Sequence, residues 1–142
     1  MGKVLLTLFY HPDEEHATRI CGELSKENLD GSATPYEYSS PKKRSPDNHL
    51  KQKALELGCD QILTIHSDHE LVPSSYGLFV FSNEKVLYRR ALKELQGRFN
   101  VTYGFMKPYT KPVQIDLELS ERNTTESSLA IVRELIRTIS GL

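Results

Sequence analysis

A three-layer α/β/α fold with a mostly parallel or mixed sheet is the class this sequence predicts, and three observations predict it. Short apolar runs recur at residues 4–9, 61–65 and 77–81, with the length of strands buried on both faces. Segments with helical apolar spacing lie between them, which is the alternation of an α/β domain. At 142 residues, with 38% hydrophobic and 26% charged, the chain has the size and balance of one soluble domain, so residues 1–142 are expected to fold as a single α/β unit.

The first run ends abruptly. Val4, Leu5, Leu6, Leu8 and Phe9 give way to His11, Asp13, Glu14, Glu15 and His16. Ala17, Ile20, Cys21 and Leu24 then recur at i, i+3, i+4 and i+7, so a helix begins where the polar cluster lies. His11 and Glu14 thus share a strand-to-helix corner, although an acidic first turn is favoured by the helix dipole in any case. Residues 28–46 have loop composition, with Asp30-Gly31, prolines 35, 41 and 46, and one short extended piece at 36–38. Lys42, Lys43 and Arg44 lie there. They read either as a solvated loop or as a clamp for a carboxylate, for which the Arg44 guanidinium is the better fork. Ser45 before Pro46 starts a second helix through Leu50, Ala54 and Leu57, and Gly58 ends it. The run at 61–65 delivers the chain to His66, Ser67, Asp68, His69 and Glu70, a second strand that ends in histidine and acid.

After the strand at 77–81, Asn83 caps a helix that carries Leu87, Ala91, Leu92 and Leu95 and is closed by Gly97. An extended segment at 99–105 follows, and Pro108 and Pro112 bracket a loop. From Val113, apolar Ile115 and Leu117 alternate with Gln114, Asp116 and Glu118, so a half-polar strand lies at an edge or lines a site. Asn123 with Glu126 resembles a capping box, and Val132, Leu135, Ile136 and Ile139 stripe the last helix.

Composition excludes some partners. The net charge of -1 and the scattered basic residues supply no field for nucleic acid. No apolar run nears ~20 residues, and the first is too short for a secretory signal, so no membrane span and a cytoplasmic location are expected. Cys21 on an apolar helix face and Cys59 at a strand entry, without CxxC spacing, read as small buried hydrophobes. His16, His49 and His69 read as surface histidines.

In an open α/β sheet, sites form outside the carboxyl ends of strands, so two endings on parallel neighbours converge on one crevice. The candidates are His11, Glu14, His66 and Glu118. Two histidines and a glutamate with a water in the fourth position form the ligand set of catalytic zinc, which brings the water's pKa near ~7. Glu118 is then a carboxylate able to carry the water's proton. HxxE after the first strand, a strand ending in His-Ser and a late strand carrying glutamate together resemble the zinc carboxypeptidase superfamily, including its succinylglutamate desuccinylase/aspartoacylase branch, with a phosphorylase/hydrolase-like sheet. The resemblance implies one Zn2+ held by His11, Glu14 and His66, Glu118 as general base, Arg44 on a substrate carboxylate, and cleavage of an amide bond in an N-acyl amino acid or small peptide. Pro12 stands where the family has glycine, and the interval from Glu14 to His66 is short. A small substrate, a partner subunit of a homo-oligomer completing the site, or loss of activity follows from that. HPDEE is also similar to the HPDDE motif of the N-acetylglucosaminyl-phosphatidylinositol de-N-acetylase family, which implies zinc on His11, Glu14 and His69 with Asp13 as base. Asp13, His16, Asp68 and His69 are candidates for a second ion. Because strand ends are polar in any α/β protein, a non-catalytic small-molecule-binding domain is the remaining expectation.

Overall fold

The apolar runs pair into one sheet. In the computed structural model, which describes residues 3–27, 29, 31, 33–39, 47–68, 75–106 and 111–142, the elements follow as β1 (Val4–Tyr10), α1 (Glu15–Leu24), β2 (Ala33–Ser39), α2 (Asp47–Glu56), β3 (Gln61–Asp68), β4 (Ser75–Phe81), α3 (Lys85–Arg98), β5 (Asn100–Phe105), β6 (Val113–Ser120) and α4 (Thr125–Ser140). The six strands stand in the order β2-β1-β3-β6-β4-β5. β2, β1, β3 and β6 run parallel, while β4 is antiparallel to β6 and pairs in parallel with β5. The carboxyl ends of β1, β3 and β6 therefore emerge side by side.

The two faces of the sheet are covered unequally. On one, Leu6, Leu8, Leu63, Ile65, Ile115 and Leu117 pack in a single cluster with Ala17 and Ile20 of α1, Leu92 and Leu95 of α3, and Ile131 and Leu135 of α4. On the other, α2 sets Leu50 and Ala54 against Leu5 and Ile62. Three layers result, as the alternation of elements predicts. The central strands look continuously apolar because helices lie on both sides of them. Among the described elements, no helix packs on the α2 face over β6, β4 and β5, and there Gln114, Asp116, Glu118 and Phe79 are half-buried. The half-polar strand expected at an edge or in a site is thus β6, a central strand whose polar residues face the helix-poor side.

Three local expectations are revised. The segment expected as loop contains the seven-residue strand β2, which tolerates Pro35 because it is an edge strand with only β1 as partner. Glu84, not Asn83, is the N-cap of α3, and the helix runs through Gly97 to Arg98 before extended Phe99 carries the chain into β5. Thr124, not Asn123, caps α4: its Oγ1 accepts from Ser127 N at 3.1 Å, while the buried Asn123 amide donates to Ser75 O at 3.1 Å. Gly58 does follow α2, at φ +70, where a side chain would be strained. No helix among the described residues is long and apolar enough to cross a membrane.

Candidate functional site

α1 starts at the corner that follows β1, and its first turn is satisfied from outside. Its N-cap, Glu14, makes no side-chain cap bond. Instead His16 N donates to Glu121 Oε2 at 3.3 Å and Ala17 N to Ser67 Oγ at 3.1 Å. Thr18 clasps the corner, accepting from His11 N and donating to His11 O, each at 3.0 Å. The Glu14 carboxylate is left to turn toward β3. Its Oε1 accepts from His66 Nδ1 at 3.0 Å and from Ser67 N at 3.1 Å.

This is a buried acid–imidazole pair, with side chains 3% exposed for Glu14 and 17% for His66. Burial pushes the Glu14 pKa up, but the His66 hydrogen bond and charge, then the Ser67 N–H and His11, outweigh it, so the carboxyl lies below its ordinary range. For His66 burial pulls downward, and the Glu14 hydrogen bond and charge, with Asp116 and Glu118, carry the ring above its ordinary range. Both shifts favour the ion pair.

His66 and Glu118 are register partners on adjacent strands, so both stand on the helix-poor face, with Gly77 of β4 on the far side of Glu118. Thr7 and Thr64 pair one row below. Phe9 stacks on His11 at 6.0 Å between ring centroids and meets His66 edge-on at 6.1 Å. His11 Nδ1 accepts from Asp13 N at 3.0 Å, which places the proton of the neutral ring on Nε2. Among the described residues, buried side-chain atoms without a hydrogen-bond partner include Thr7 Oγ1, Thr64 Oγ1, His11 Nε2 and Glu14 Oε2. All four lie on β1, on β3 or at the corner that follows β1. Such groups are rare, and their concentration makes this corner the candidate site.

The structure therefore brings Glu14 into contact with His66, sets Glu118 beside His66, and leaves His11 at the same corner against Phe9. Arg44, Lys42, Lys43 and His69 lie outside the described residues, as does the side chain of Asp68. His16, expected at the surface, is 2% exposed, with Nε2 2.8 Å from Ser128 Oγ. Burial holds its pKa below the ordinary range, the Glu121 charge opposing and Arg19 reinforcing. Ser67 and Thr18 belong to the site without any local pattern to announce them. Ser67 stands next to His66, but its partner Ala17 is 50 residues away.

The zinc expectation is corrected by this geometry. Among the described residues no three His, Cys, Asp or Glu side chains are gathered to hold a metal ion. Glu14 Oε1 binds His66 Nδ1 directly, and His11 Nδ1 is occupied by Asp13 N, so His11, Glu14 and His66 do not present their donors to a common Zn2+. The zinc-dependent amide hydrolase built on that ligand set falls with it, and the third ligand of the de-N-acetylase form, His69, lies outside the described residues.

Nor does a thiol stand at the pair. Cys21 is fully buried in the core, where burial pushes its thiol up to about 12. Cys59, also buried and raised, precedes β3 at the end opposite His66.

No protein-family model matches the chain, and no curated protein matches it by sequence. Solved structures do match its fold. It is similar to pyrrolidone carboxyl peptidase from Fervidobacterium islandicum AW-1, with a TM-score of 0.66 at 12% identity over 99% of each chain. Pyroglutamyl peptidase I of Bacillus amyloliquefaciens gives 0.63 at 9% identity over 100% of this chain and 98% of that one. The pyrrolidone carboxyl peptidase of Thermococcus litoralis gives 0.59 at 13% over 97% and 93%. At such identities the likeness establishes the fold. It also corrects the resemblance to the zinc carboxypeptidase superfamily and its aspartoacylase branch, because the neighbours over nearly the whole chain are pyrrolidone carboxyl peptidases. HxxE, His-Ser and a late glutamate are few and common letters, whereas the fold depends on every element.

Proposed function

We propose that this protein is a hydrolase of small amide or peptide substrates, of the pyroglutamyl type named in its fold neighbours, with His66 as general base and Glu14 as the carboxylate that orients it. The observation that supports this reading best is the buried Glu14–His66 pair at the carboxyl ends of β1 and β3. A carboxylate on Nδ1 fixes the tautomer, leaves Nε2 to take a proton, and stabilises the imidazolium that forms. With neither cysteine at the pair, the nucleophile in this reading is water. His66 Nε2 takes its proton as the oxygen attacks the carbonyl carbon, then returns that proton to the leaving nitrogen as the C–N bond breaks. Glu118, in register with His66, is proposed to orient the attacking water, and Arg44 to hold a substrate carboxylate. Residues 1–142 would act as one unit, working in the cytoplasm.

The test is a panel of pyroglutamyl and aminoacyl amides of a fluorogenic amine. Turnover should fall about 10²- to 10⁴-fold in His66→Ala, the usual contribution of a general base. Iodoacetamide should leave the rate unchanged. The proposal is wrong if no amide is cleaved or His66→Ala keeps the wild-type rate, and a thiol is the nucleophile if alkylation stops turnover.

A further inference from the structure

We infer that Ser67 is the positioning residue of the Glu14–His66 pair, holding the start of α1 in register with β3 so that the carboxylate stays on the imidazole. The inference rests on the reading of that pair as the catalytic one and names what keeps it assembled.

Successive residues of a strand point to opposite faces. His66 projects onto the helix-poor face, and Ser67, the next residue, projects toward the face on which α1 packs. β3 therefore carries the base and, one residue on, an anchor for the helix whose cap supplies the acid. Ser67 is 4% exposed and makes two contacts with that helix start. Its N–H reaches Glu14 Oε1 at 3.1 Å, and its Oγ accepts from Ala17 N at 3.1 Å. One residue thus grips the N-cap and the third helical residue together, fixing the position and the rotation of the first turn.

The other ties on this turn lead elsewhere. Glu121, from the turn after β6, takes His16 N, and Ser128 of α4 takes His16 Nε2. Thr18 binds back to His11 within the same corner. Among the described hydrogen bonds, only the Ser67 hydroxyl joins the backbone of α1 to the strand that bears His66. The Glu14 side chain makes no bond to its own helix, so the direction of the carboxylate depends on where α1 begins relative to β3. The Ser67 N–H cannot hold the carboxylate by itself, because it fixes one oxygen and not the helix behind it.

Asp116 and Glu118 also face His66 and sustain its charge, so the informative signal is the Glu14 hydrogen bond itself. The experiment follows the low-field proton resonance of His66 Nδ1–H in 15N-labelled protein, assigned by its loss in Glu14→Ala, together with hydrogen exchange at the Ala17 amide. Ser67→Ala should broaden or abolish the resonance and speed Ala17 exchange at least about tenfold, the scale set by losing one helix-cap bond. Ser67→Cys, nearly isosteric but a weak acceptor, should do the same and serves if the alanine variant folds poorly. Glu121→Ala, which removes the neighbouring cap on His16 N, should leave the resonance at wild-type intensity. If Ser67→Ala and Ser67→Cys speed Ala17 exchange yet keep the resonance, Ser67 is a helix cap and nothing more, and the inference fails. No substrate enters this measurement, so failure of the hydrolase reading in the amide panel is a separate result.

Discussion

Glu14→Gln isolates the charge of the buried pair. The glutamine keeps the side chain's size and an acceptor oxygen, so His66 Nδ1–H and Ser67 N–H both retain a partner, now neutral. Hydrogen bonds to a charged group contribute about 1.5–3 kcal/mol and neutral ones about 0.5–1.5, so two weakened bonds amount to roughly 2–3 kcal/mol. For a chain of this length that lowers the Tm by about 6–12 °C. The loss should depend on pH with a definite sign. The Glu14 pKa is lowered by folding, so its contribution is present above the ordinary carboxylate range and disappears as pH falls through the lowered value. The His66 pKa is raised, so its contribution is complete below the ordinary imidazole range and disappears as pH rises through the raised value. The gap between wild type and variant should therefore peak between about pH 5 and pH 6, where both partners are charged in either state, and shrink toward pH 9. The chain has no tryptophan, so urea melts followed by far-UV circular dichroism are the assay. A gap that stays constant from pH 4 to 9, or widens in alkali, would refute the ion-pair reasoning.

Three further outcomes follow from the same geometry. Gly104→Ala places a Cβ 2.8 Å from Phe79 Cδ1, so the ring must shift; a thermal melt should show a loss of about 1–3 kcal/mol, the usual cost of overpacking. Thr124→Ala removes the cap on α4 and should cost about 1 kcal/mol, whereas Glu126→Ala should cost less, because the cap bond comes from Thr124 and not from an Asn123–Glu126 box. If His66 is the base, kcat/KM should rise with pH through a midpoint above the ordinary histidine range, since only the deprotonated ring accepts a proton; a midpoint below that range would remove His66 from the role.

Much of the fold is local pattern, and it was legible. The runs Val4–Phe9 and Ile62–Ile65 carry their burial on both faces as apolar letters interrupted only by Thr7 and Thr64, and the stripe of α4 carries its single buried face as a helical period. β2 was obscured by its prolines, which an edge strand accepts and a central one does not. The cap of α4 falls one residue beyond the one the pattern predicts, on Thr124 and not Asn123, because two good caps stand side by side and burial sends the asparagine amide to Ser75. His16 looked like surface because nothing near it in sequence announces Ser128, 112 residues away.

By itself, then, the sequence determined the alternation of strands and helices, the three layers, and the appearance of His11, Glu14 and His66 at strand ends, since burial on a face is written in the spacing of apolar residues. Tertiary structure decided what those polar groups do. HxxE followed by a later histidine is compatible with donors converging on an ion or with the acid bonding the base directly. The two differ in which way one carboxylate turns, between groups 52 residues apart. Ser67 and Ala17, which join the start of α1 to β3, are likewise 50 residues apart, and no periodicity encodes their contact. Distances between chain-distant atoms arise only when packing brings the elements together, and the chemistry of this corner is made of such distances.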